Sequence, residues 1–357
     1  MSEFETLHEI VRAAHRNLSP GAWDYLTGGA ETETSLLRNR MALDSLAFKP
    51  LVLNDVRAVD LTGTVHGQKC RLPVILAPMG SLDQIDPGGA MSVAKAAEEF
   101  GVVSYLSSVT QPGLEEIAAE TKHPKVFQLY VRGDRDWVTD ITNRAVDQGY
   151  VHFCLTVDVA LYSRRERDLI KRYRPRARGR DGWEFQAALN WDFVKWFKDT
   201  WDIPLIVKGI ATPQDAVRCV EHGVEVVYVS NHGGRQLDHG RGTIDMLPEI
   251  VSAVGGKAEI VVDGGFARGS DIVKALARGA DAVAIGKIQG LGLGAAGAAG
   301  VVRVLELLET EMNITMGLLG LNSLSKLSED FLEPAQPVVQ PSALSAFPFL
   351  NLPAQEY

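Results

Sequence analysis

Cysteine is scarce in this chain: the 357 residues include only Cys70, Cys154 and Cys219. Their spacing matches no zinc or iron–sulfur ligand pattern, so no metal site is expected. Two of the three lie in apolar runs, where a buried free thiol is the usual state. This usage is typical of a reducing compartment and favours a cytoplasmic protein.

Positive charge is also in short supply. The formal net charge is −9 at pH 7, which argues against a nucleic-acid partner. No basic-then-apolar segment at the N-terminus indicates a signal peptide, and no apolar run looks long enough for a membrane span. The last four residues, Ala-Gln-Glu-Tyr, are neither a lipidation signal nor a peroxisomal address.

Short apolar runs alternate with longer amphipathic stretches from residue 73 onward. Continuous apolar strands separated by helices indicate parallel strands that are buried on both faces. Eight such units favour a (β/α)8 TIM barrel, in the α/β class, over an open doubly wound sheet. The predicted strands are residues 74–77, 102–106, 126–129, 153–157, 205–207, 226–229, 260–262 and 282–285. The main predicted helices are residues 90–100, 114–120, 137–148, 213–223, 244–254 and 270–278.

We therefore predict one domain over residues 1–332, with the barrel proper at about 73–312. Helical patterns precede the barrel, including a helix with Ser19 as N-cap and Pro20 at its first position. Helical patterns also follow it, and residues 333–357 are rich in proline, serine and alanine, which predicts an extended tail.

The sixth predicted strand runs into a glycine-rich turn that holds His232, Arg235 and Asp238. An arginine can fix a carboxylate in two-point geometry, and an imidazole is a base near neutral pH. The alternative is a surface loop that happens to contain these residues. On this loop alone the two interpretations are equally supported.

Active sites of TIM barrels lie at the carboxyl ends of the strands, so polar residues should follow the apolar runs. They do so at nearly every run, which exceeds what turns and caps require. The polar residues at these ends are Ser107, Ser108, Gln128, Tyr130, Thr156, Asp158, Lys208, Ser230, His232, Asp263 and Lys287.

Glycine-rich turns follow the last two strands, at Gly264-Gly265 and at Gly286, with Arg268 and Lys287 nearby. Barrels hold phosphate at this position, although tight turns would explain the glycines equally well. A Gly-x-Gly-x-x-Gly pattern at residues 292–297 has no strand before and after it in the required order. We interpret it as helix packing. The basic run at residues 172–180 predicts a mobile lid that attracts anions.

Together these motifs resemble the family of FMN-dependent 2-hydroxy acid oxidases and dehydrogenases, which includes glycolate oxidase, lactate oxidase, mandelate dehydrogenase and the flavin domain of flavocytochrome b2. The resemblance covers about residues 5–332. It rests on residues 230–238 (Ser-Asn-His-Gly-Gly-Arg-Gln-Leu-Asp), 263–265 (Asp-Gly-Gly), 24–30, 76–78, 106–108, 127–130, 155–158, 164–165 and 207–209.

The resemblance implies that an (S)-2-hydroxy acid is oxidised to the 2-oxo acid. His232 would take the hydroxyl proton while the α hydrogen reaches flavin N5 as hydride, or His232 would take the α proton before the electrons pass to the flavin. Electrons would then pass to O2 or another acceptor. Asp158 would stabilise the imidazolium, and Tyr130 would hydrogen-bond the substrate oxygen. The carboxylate would be held by Arg165, Arg235 and Tyr25, and the resemblance also implies a homotetramer or larger assembly.

The resemblance further implies the FMN contacts. Lys208 would stabilise the reduced flavin at its N1/C2 edge. The isoalloxazine and ribityl contacts would be Ala77, Pro78, Met79, Ser107, Gln128, Thr156 and Ser230. The phosphate contacts would be Asp263, Gly264, Gly265, Arg268, Gly286 and Lys287.

The chain departs from the family pattern at the phosphate end, where Ala267 and Lys287 stand in place of arginines. Gly80, Val109 and Tyr162 alter the substrate side. Val109 in place of the tryptophan of glycolate oxidase indicates room for a larger, aromatic side chain. The connection from Arg165 to Lys208 is shorter than usual. Two alternatives remain open: another FMN barrel, such as a type 2 isopentenyl-diphosphate isomerase or an IMP dehydrogenase-like enzyme, and a non-catalytic barrel with weakened FMN binding.

Overall fold

A computed structural model describes residues 4–175 and 181–351 of the chain. Eight parallel strands, β4 to β11, form a closed barrel in which each strand pairs with its neighbours in chain order. The predicted barrel is therefore confirmed, and each predicted apolar run is one of its strands. The barrel strands are β4 (Val74–Leu76), β5 (Val103–Ser107), β6 (Lys125–Leu129), β7 (His152–Thr156), β8 (Leu205–Ile210), β9 (Val226–Val229), β10 (Glu259–Val262) and β11 (Ala282–Ile285).

Among residues 4–175 and 181–351, four short strands lie outside the barrel. β2 (Gly63–Val65) and β3 (Gln68–Cys70) form an antiparallel hairpin. The side chains of Val65 and Cys70 pack into the same apolar cluster as inward-facing barrel residues such as Ile75 and Val103. β1 (Leu46–Phe48) pairs in antiparallel fashion with β12 (Leu332–Pro334), so the two ends of the domain are joined.

Helices surround the barrel and follow the predicted pattern closely. Ser19 caps the second helix by accepting a hydrogen bond from Ala22 N at 3.2 Å, and Pro20 occupies its first turn, as predicted. The helices are α1 (Leu7–Asn17), α2 (Pro20–Thr27), α3 (Thr34–Asp44), α4 (Gly89–Phe100), α5 (Leu114–Glu120), α6 (Arg135–Asp147), α7 (Glu166–Ile170), α8 (Trp183–Ala187), α9 (Trp191–Thr200), α10 (Pro213–Glu221), α11 (Thr243–Val254), α12 (Gly269–Ala277) and α13 (Lys287–Leu318). Short 3-10 turns occur at Leu82–Gln84, Leu324–Lys326 and Glu329–Phe331.

The longest helix, α13, corrects one expectation. It is long and apolar enough to cross a membrane by length and composition, with a mean hydropathy of 1.6, so the expected absence of such a run is wrong. Much of this helix is buried against α1, α4 and α12, and Ala296 and Gly297 break its regular geometry. The Gly-x-Gly-x-x-Gly pattern lies inside it. A Cβ at Gly292 would lie 2.7 Å from the oxygen of Gly300, which supports the packing interpretation.

The C-terminal segment is extended only over β12. Turns follow from residue 343, and the side chain of Phe347 is only 4% exposed. Within the predicted tail of residues 333–357, the described part around Phe347 therefore packs back onto the domain, because a buried aromatic ring removes apolar surface from water, and residues 352–357 lie outside the described residues.

Candidate functional site

The carboxyl ends of the eight barrel strands contribute a ring of inward-facing residues. Side chains alternate between the two faces of a strand, so the residue two places after an inward-facing core residue also faces inward. Ile75, Tyr105 and Val126 belong to the interior cluster, and Ala77, Ser107 and Gln128 follow them at this spacing. The same spacing holds on the other strands. The complete ring is Ala77, Ser107, Gln128, Thr156, Lys208, Ser230, Asp263 and Gly286.

A cavity of about 1430 Å³, including its open mouth, lies above this ring. Most of the predicted site residues line it: Tyr25, Ala77, Pro78, Met79, Tyr130, Arg165, Lys208, His232, Arg235, Asp263, Gly264, Gly265, Gly286 and Lys287. The ring members Ser107, Gln128, Thr156 and Ser230 are buried at the strand ends. Eight separate strands and their loops therefore converge on one site.

His232 lies in the cavity with a fixed orientation. Its Nδ1 is 3.0 Å from Asp158 Oδ1, and its Nε2 is 3.3 Å from the Tyr130 hydroxyl. Because a carboxylate accepts hydrogen bonds, Nδ1 carries the proton, and Nε2 is left as the basic lone pair. The backbone of His232 is left-handed (φ 59°), and its N–H donates to Ser230 Oγ at 3.0 Å. Such strained backbone in a non-glycine residue is common at active sites.

The electrostatics of this pair suit a base. Burial lowers the pKa of His232, and this outweighs the opposing effect of the Asp158 carboxylate, so the imidazole is neutral near pH 7. Burial opposes the charge of Asp158, but His232 and Lys208 outweigh burial and lower the pKa of Asp158. The pair therefore consists of a neutral imidazole and an ionised carboxylate, ready to stabilise an imidazolium.

Two arginines approach the cavity from different loops. Arg235 Nη1 donates to the backbone oxygens of Tyr25 at 2.6 Å and Gly28 at 2.8 Å. In the described part of the chain, its other guanidinium nitrogens have no hydrogen bond. Arg165 donates to the oxygen of Arg235 at 3.3 Å and to Gln236. Burial and Arg165 lower the pKa of Arg235, and an anion bound between them would relieve this repulsion.

Lys208 is buried in the ring beside its counter-ion. Its Nζ donates to Ser230 Oγ at 2.8 Å and lies 3.1 Å from Asp263 Oδ2. Burial opposes its charge, but Asp263 and Asp158 outweigh burial and raise its pKa, so the ammonium is retained. A fixed positive charge thus lies at the floor of the cavity, where it can stabilise negative charge on a ligand.

The other end of the cavity is formed by the turns after β10 and β11. Gly264 and Gly265 have positive φ (111° and 86°), and both line the cavity. Lys287 Nζ donates to the Gly28 oxygen at 2.9 Å. Burial and Arg235 lower the pKa of Lys287 well below its usual range, and a bound anion would favour its charged form.

Arg268 corrects the prediction for this end. Its side chain pairs with Glu311 Oε1 at 2.5 Å and donates to the backbone oxygen of Ala346 at 3.2 Å. It is not among the cavity-lining residues. Arg268 is the N-cap of α12, and its own N–H donates to Asp271, so its side chain is turned to the outside of the helix start. The predicted phosphate contact is therefore not formed by this residue.

Several residues at the site had no sequence signal. Arg40 of α3 lines the cavity while donating to Asp44, Asp271 and the oxygen of Gly265. Its helix has no motif, and only the tertiary fold brings it to the turn after β10. Trp183 also lines the cavity. Five C-terminal residues line it as well: Ser342, Ala343, Leu344, Ala346 and Phe347.

The predicted lid falls partly outside the described residues, because residues 176–180 are not described. Before this gap, the ring of Tyr173 packs on Tyr25 with ring centroids 5.5 Å apart. The Tyr173 hydroxyl donates to Gln84 Oε1 at 3.0 Å. The start of the 172–180 run therefore lies beside the substrate arginines, and its role as a lid stays a prediction.

The residues present fit FMN. Gln128 Oε1 and Gln289 Oε1 are buried and, among the described residues, have no hydrogen-bond partner. Buried polar atoms normally are paired, so these oxygens suit donors on a ligand such as a flavin ring. Lys287 and the two glycine turns suit a phosphate, and Lys208 suits the ring edge that becomes negative on reduction.

Comparison with known proteins agrees with this site. The sequence model of the FMN-dependent dehydrogenase family matches residues 14–334. An L-lactate oxidase of Nostoc sp. is 38% identical over 354 residues, covering 91% of this chain and 97% of that protein. Glycolate oxidase 1 of Zea mays is 36% identical, covering 98% and 99%.

Solved structures show the same fold. A variant of mandelate oxidase with (S)-mandelic acid superposes with a TM-score of 0.87 at 36% identity, covering 94% of this chain and 100% of that one. A soluble mutant of the membrane-associated (S)-mandelate dehydrogenase from Pseudomonas putida gives 0.86 at 35% identity, covering 92% and 99%. The chain belongs to the FMN-dependent dehydrogenase family, whose members of known activity among these relatives are 2-hydroxy acid oxidases and dehydrogenases.

Proposed function

We propose that this enzyme oxidises an (S)-2-hydroxy acid to the 2-oxo acid, with His232 as the base. The observation that carries the proposal is the position of His232 Nε2. It lies 3.3 Å from the Tyr130 hydroxyl, while Asp158 holds Nδ1 at 3.0 Å, and both His232 and Arg235 line the cavity. A substrate held by its carboxylate at the arginines would present its hydroxyl group to this basic nitrogen.

The chain's own residues divide the work as follows. Arg235, with its unused guanidinium edge, and Arg165 bind the carboxylate. Tyr130 donates a hydrogen bond to the substrate oxygen. His232 accepts the hydroxyl proton at Nε2, and Asp158 stabilises the imidazolium that results. When bound, FMN would supply the redox chemistry, because it can accept the α hydrogen together with two electrons. Lys208 provides positive charge at the cavity floor.

The electron acceptor, the cytoplasmic location and the assembly into a homotetramer or larger stay predictions. The relatives include an oxidase and a dehydrogenase. To distinguish O2 from another electron acceptor, air is admitted to the substrate-reduced enzyme and the return of the oxidised flavin absorption is followed.

We propose further that the substrate side chain is bulky and apolar. Val109, Tyr130 and Val159 form a small apolar cluster with Trp183 packed against it, and all four line the cavity. The aromatic ring of Tyr162 meets Trp183 edge-on, with centroids 5.5 Å apart. An apolar wall of this kind stabilises an aryl or long alkyl side chain of the substrate. Glycolate has no side chain to pack against it.

Replacing Val109 with tryptophan should remove most of this preference. In the unaltered enzyme, kcat/KM for 2-oxo acid formation from (S)-mandelate should exceed that from glycolate by about 10-fold or more, because burying an aromatic ring contributes about 1.5–3 kcal/mol. Val109→Trp should lower the (S)-mandelate value by about 10-fold through overpacking. Glycolate turnover by the same variant is the internal control and should change little. A glycolate preference in the unaltered enzyme would contradict the assignment.

The pH dependence of turnover tests the His232–Asp158 pair. The Asp158 charge raises the pKa of His232 against the effect of burial, so Asp158→Asn should lower that pKa further. The acid limb of kcat/KM should therefore move to lower pH. The plateau value of kcat should fall by about 100-fold, since a charge-assisted hydrogen bond to the imidazolium contributes about 1.5–3 kcal/mol. An acid limb that moved to higher pH would contradict the pairing.

A further inference from the structure

The C-terminal segment reaches the cavity near the turn after β10, where Arg268 donates to the oxygen of Ala346. Ser342, Ala343, Leu344, Ala346 and Phe347 line it together with Gly265, Phe266 and Ala267 of the turn after β10. We call residues 342–347 the tail segment. The match to the family's sequence model ends at residue 334, before this segment begins.

The tail segment is held from two directions. Arg268 Nη1 donates to the oxygen of Ala346 at 3.2 Å, while Glu311 fixes the same guanidinium. Arg12 of α1 donates to the oxygens of Phe349 at 2.7 Å and Leu350 at 3.1 Å. The ring of Phe347 is buried and lies edge-on to His8, with centroids 5.8 Å apart. These contacts join the segment to α1, to the start of α12 and to α13.

Ala267 stands where the family pattern has an arginine, and it lines the cavity together with the tail segment. Ala267 has no group that can reach a phosphate, and Arg268, the next residue, is turned outward to Glu311 and Ala346. The N–H groups of Ala267, Arg268 and Gly269 donate to the carboxylates of Asp271 and Glu311, so they are not available to a phosphate. Closure of this end therefore falls to the tail segment and Lys287.

We propose that the tail segment is the outer wall of the FMN phosphate end, clamped by Arg268, and that it controls how fast FMN leaves the protein. An arginine that reaches phosphate retains the cofactor by a charged hydrogen bond. In this chain Arg268 retains FMN indirectly, because it holds the tail segment across the phosphate end of the cavity. The inference rests on the proposed placement of the phosphate between the turns after β10 and β11.

The test is the rate of FMN release, followed by the fluorescence of free flavin after dilution of the FMN-loaded protein. A chain that stops after Pro341 should release FMN at least about 10-fold faster than the full chain, as expected for loss of 1.4 kcal/mol or more of retention. Phe347→Ala should also accelerate release, by several-fold. Val338→Ala is the matched control, because Val338 lies in the same C-terminal region with its side chain 98% exposed, and its release rate should match that of the full chain.

Release within two-fold of the full chain, from a truncated protein that still melts in one transition, would overturn the proposal. If the truncated chain does not fold, Phe347→Ala decides, and an unchanged release rate for that variant would overturn it equally. A raised substrate KM with unchanged FMN release would place the segment at the substrate end instead and overturn it. If the protein binds FMN but no 2-hydroxy acid reduces the flavin, the proposed reaction is refuted. The comparison of FMN release rates between the full chain and its variants still tests the tail segment.

Discussion

His232→Ala should lower kcat by about 10³-fold or more while FMN stays bound, because a positioned general base contributes about 10²–10⁴-fold and no other described side chain replaces Nε2. The loss should appear in kcat and in kcat/KM together, since the proton is accepted only in the transition state. FMN content, measured from the visible flavin absorption of the purified variant, should equal that of the unaltered enzyme.

The same loop offers a matched control for this variant. His239 has the same left-handed φ of 59°, but its ring is exposed and it does not line the cavity. His239→Ala therefore repeats the change of backbone preference without touching the site, and its kcat should be unaltered. If His232→Ala retained kcat within a few-fold of the unaltered enzyme, His232 would not be the base.

Arg235→Lys should lower kcat/KM by about 100-fold, with KM raised and kcat reduced together. A charge-assisted hydrogen bond contributes about 1.5–3 kcal/mol, and lysine keeps the charge but loses the planar fork. In this chain one side of the fork is already used on Tyr25 and Gly28, which aims the other side at the cavity. A lysine cannot bond to these backbone oxygens and to the substrate carboxylate at the same time. The carboxylate should therefore be bound more weakly and positioned less accurately.

Arg241→Lys is the corresponding control. Arg241 follows in the same loop, forms a half-exposed ion pair with Glu249 at 2.7 Å, and does not line the cavity. Its kinetics should be unaltered, because exposed ion pairs contribute little. Unchanged KM and kcat for Arg235→Lys would remove Arg235 from the carboxylate site and leave Arg165 as the anchor.

The barrel was predictable because its signal is local. Eight apolar runs with amphipathic helices between them define strands and crossovers, and the polar residue two places after an interior residue must face the same cavity. That alternation is why Thr156, Lys208 and Ser230 could be assigned to the site from sequence. Asp158 and His232 lie after the ends of their strands, where alternation no longer applies, and the backbone of His232 is left-handed.

The errors come from contacts between distant parts of the chain. Arg268 lies one position from the family arginine, and only its distance to Glu311 shows which way it points. Nothing in the local sequence around Phe347 predicts burial, since its contact, His8, is 339 positions away. Arg40 likewise reaches the site through the packing of α3 against α11 and the turn after β10.

Helix α13 shows a different limit. Its composition passes the test for a membrane span because a helix packed between α1, α4 and α12 must be apolar on most of its surface. Gly292 and Gly300 of this helix lie so close that a Cβ on either would meet the backbone of the other.

Anaerobic mixing of the FMN-loaded enzyme with (S)-mandelate and with its (R) enantiomer tests the central claim most directly. The account predicts that the (S) acid bleaches the oxidised flavin band and yields one 2-oxo acid per FMN, whereas the (R) acid does not. The account would be contradicted by a yellow, FMN-loaded protein whose flavin band is unchanged by (S)-mandelate, (S)-lactate, glycolate and long-chain (S)-2-hydroxy acids alike.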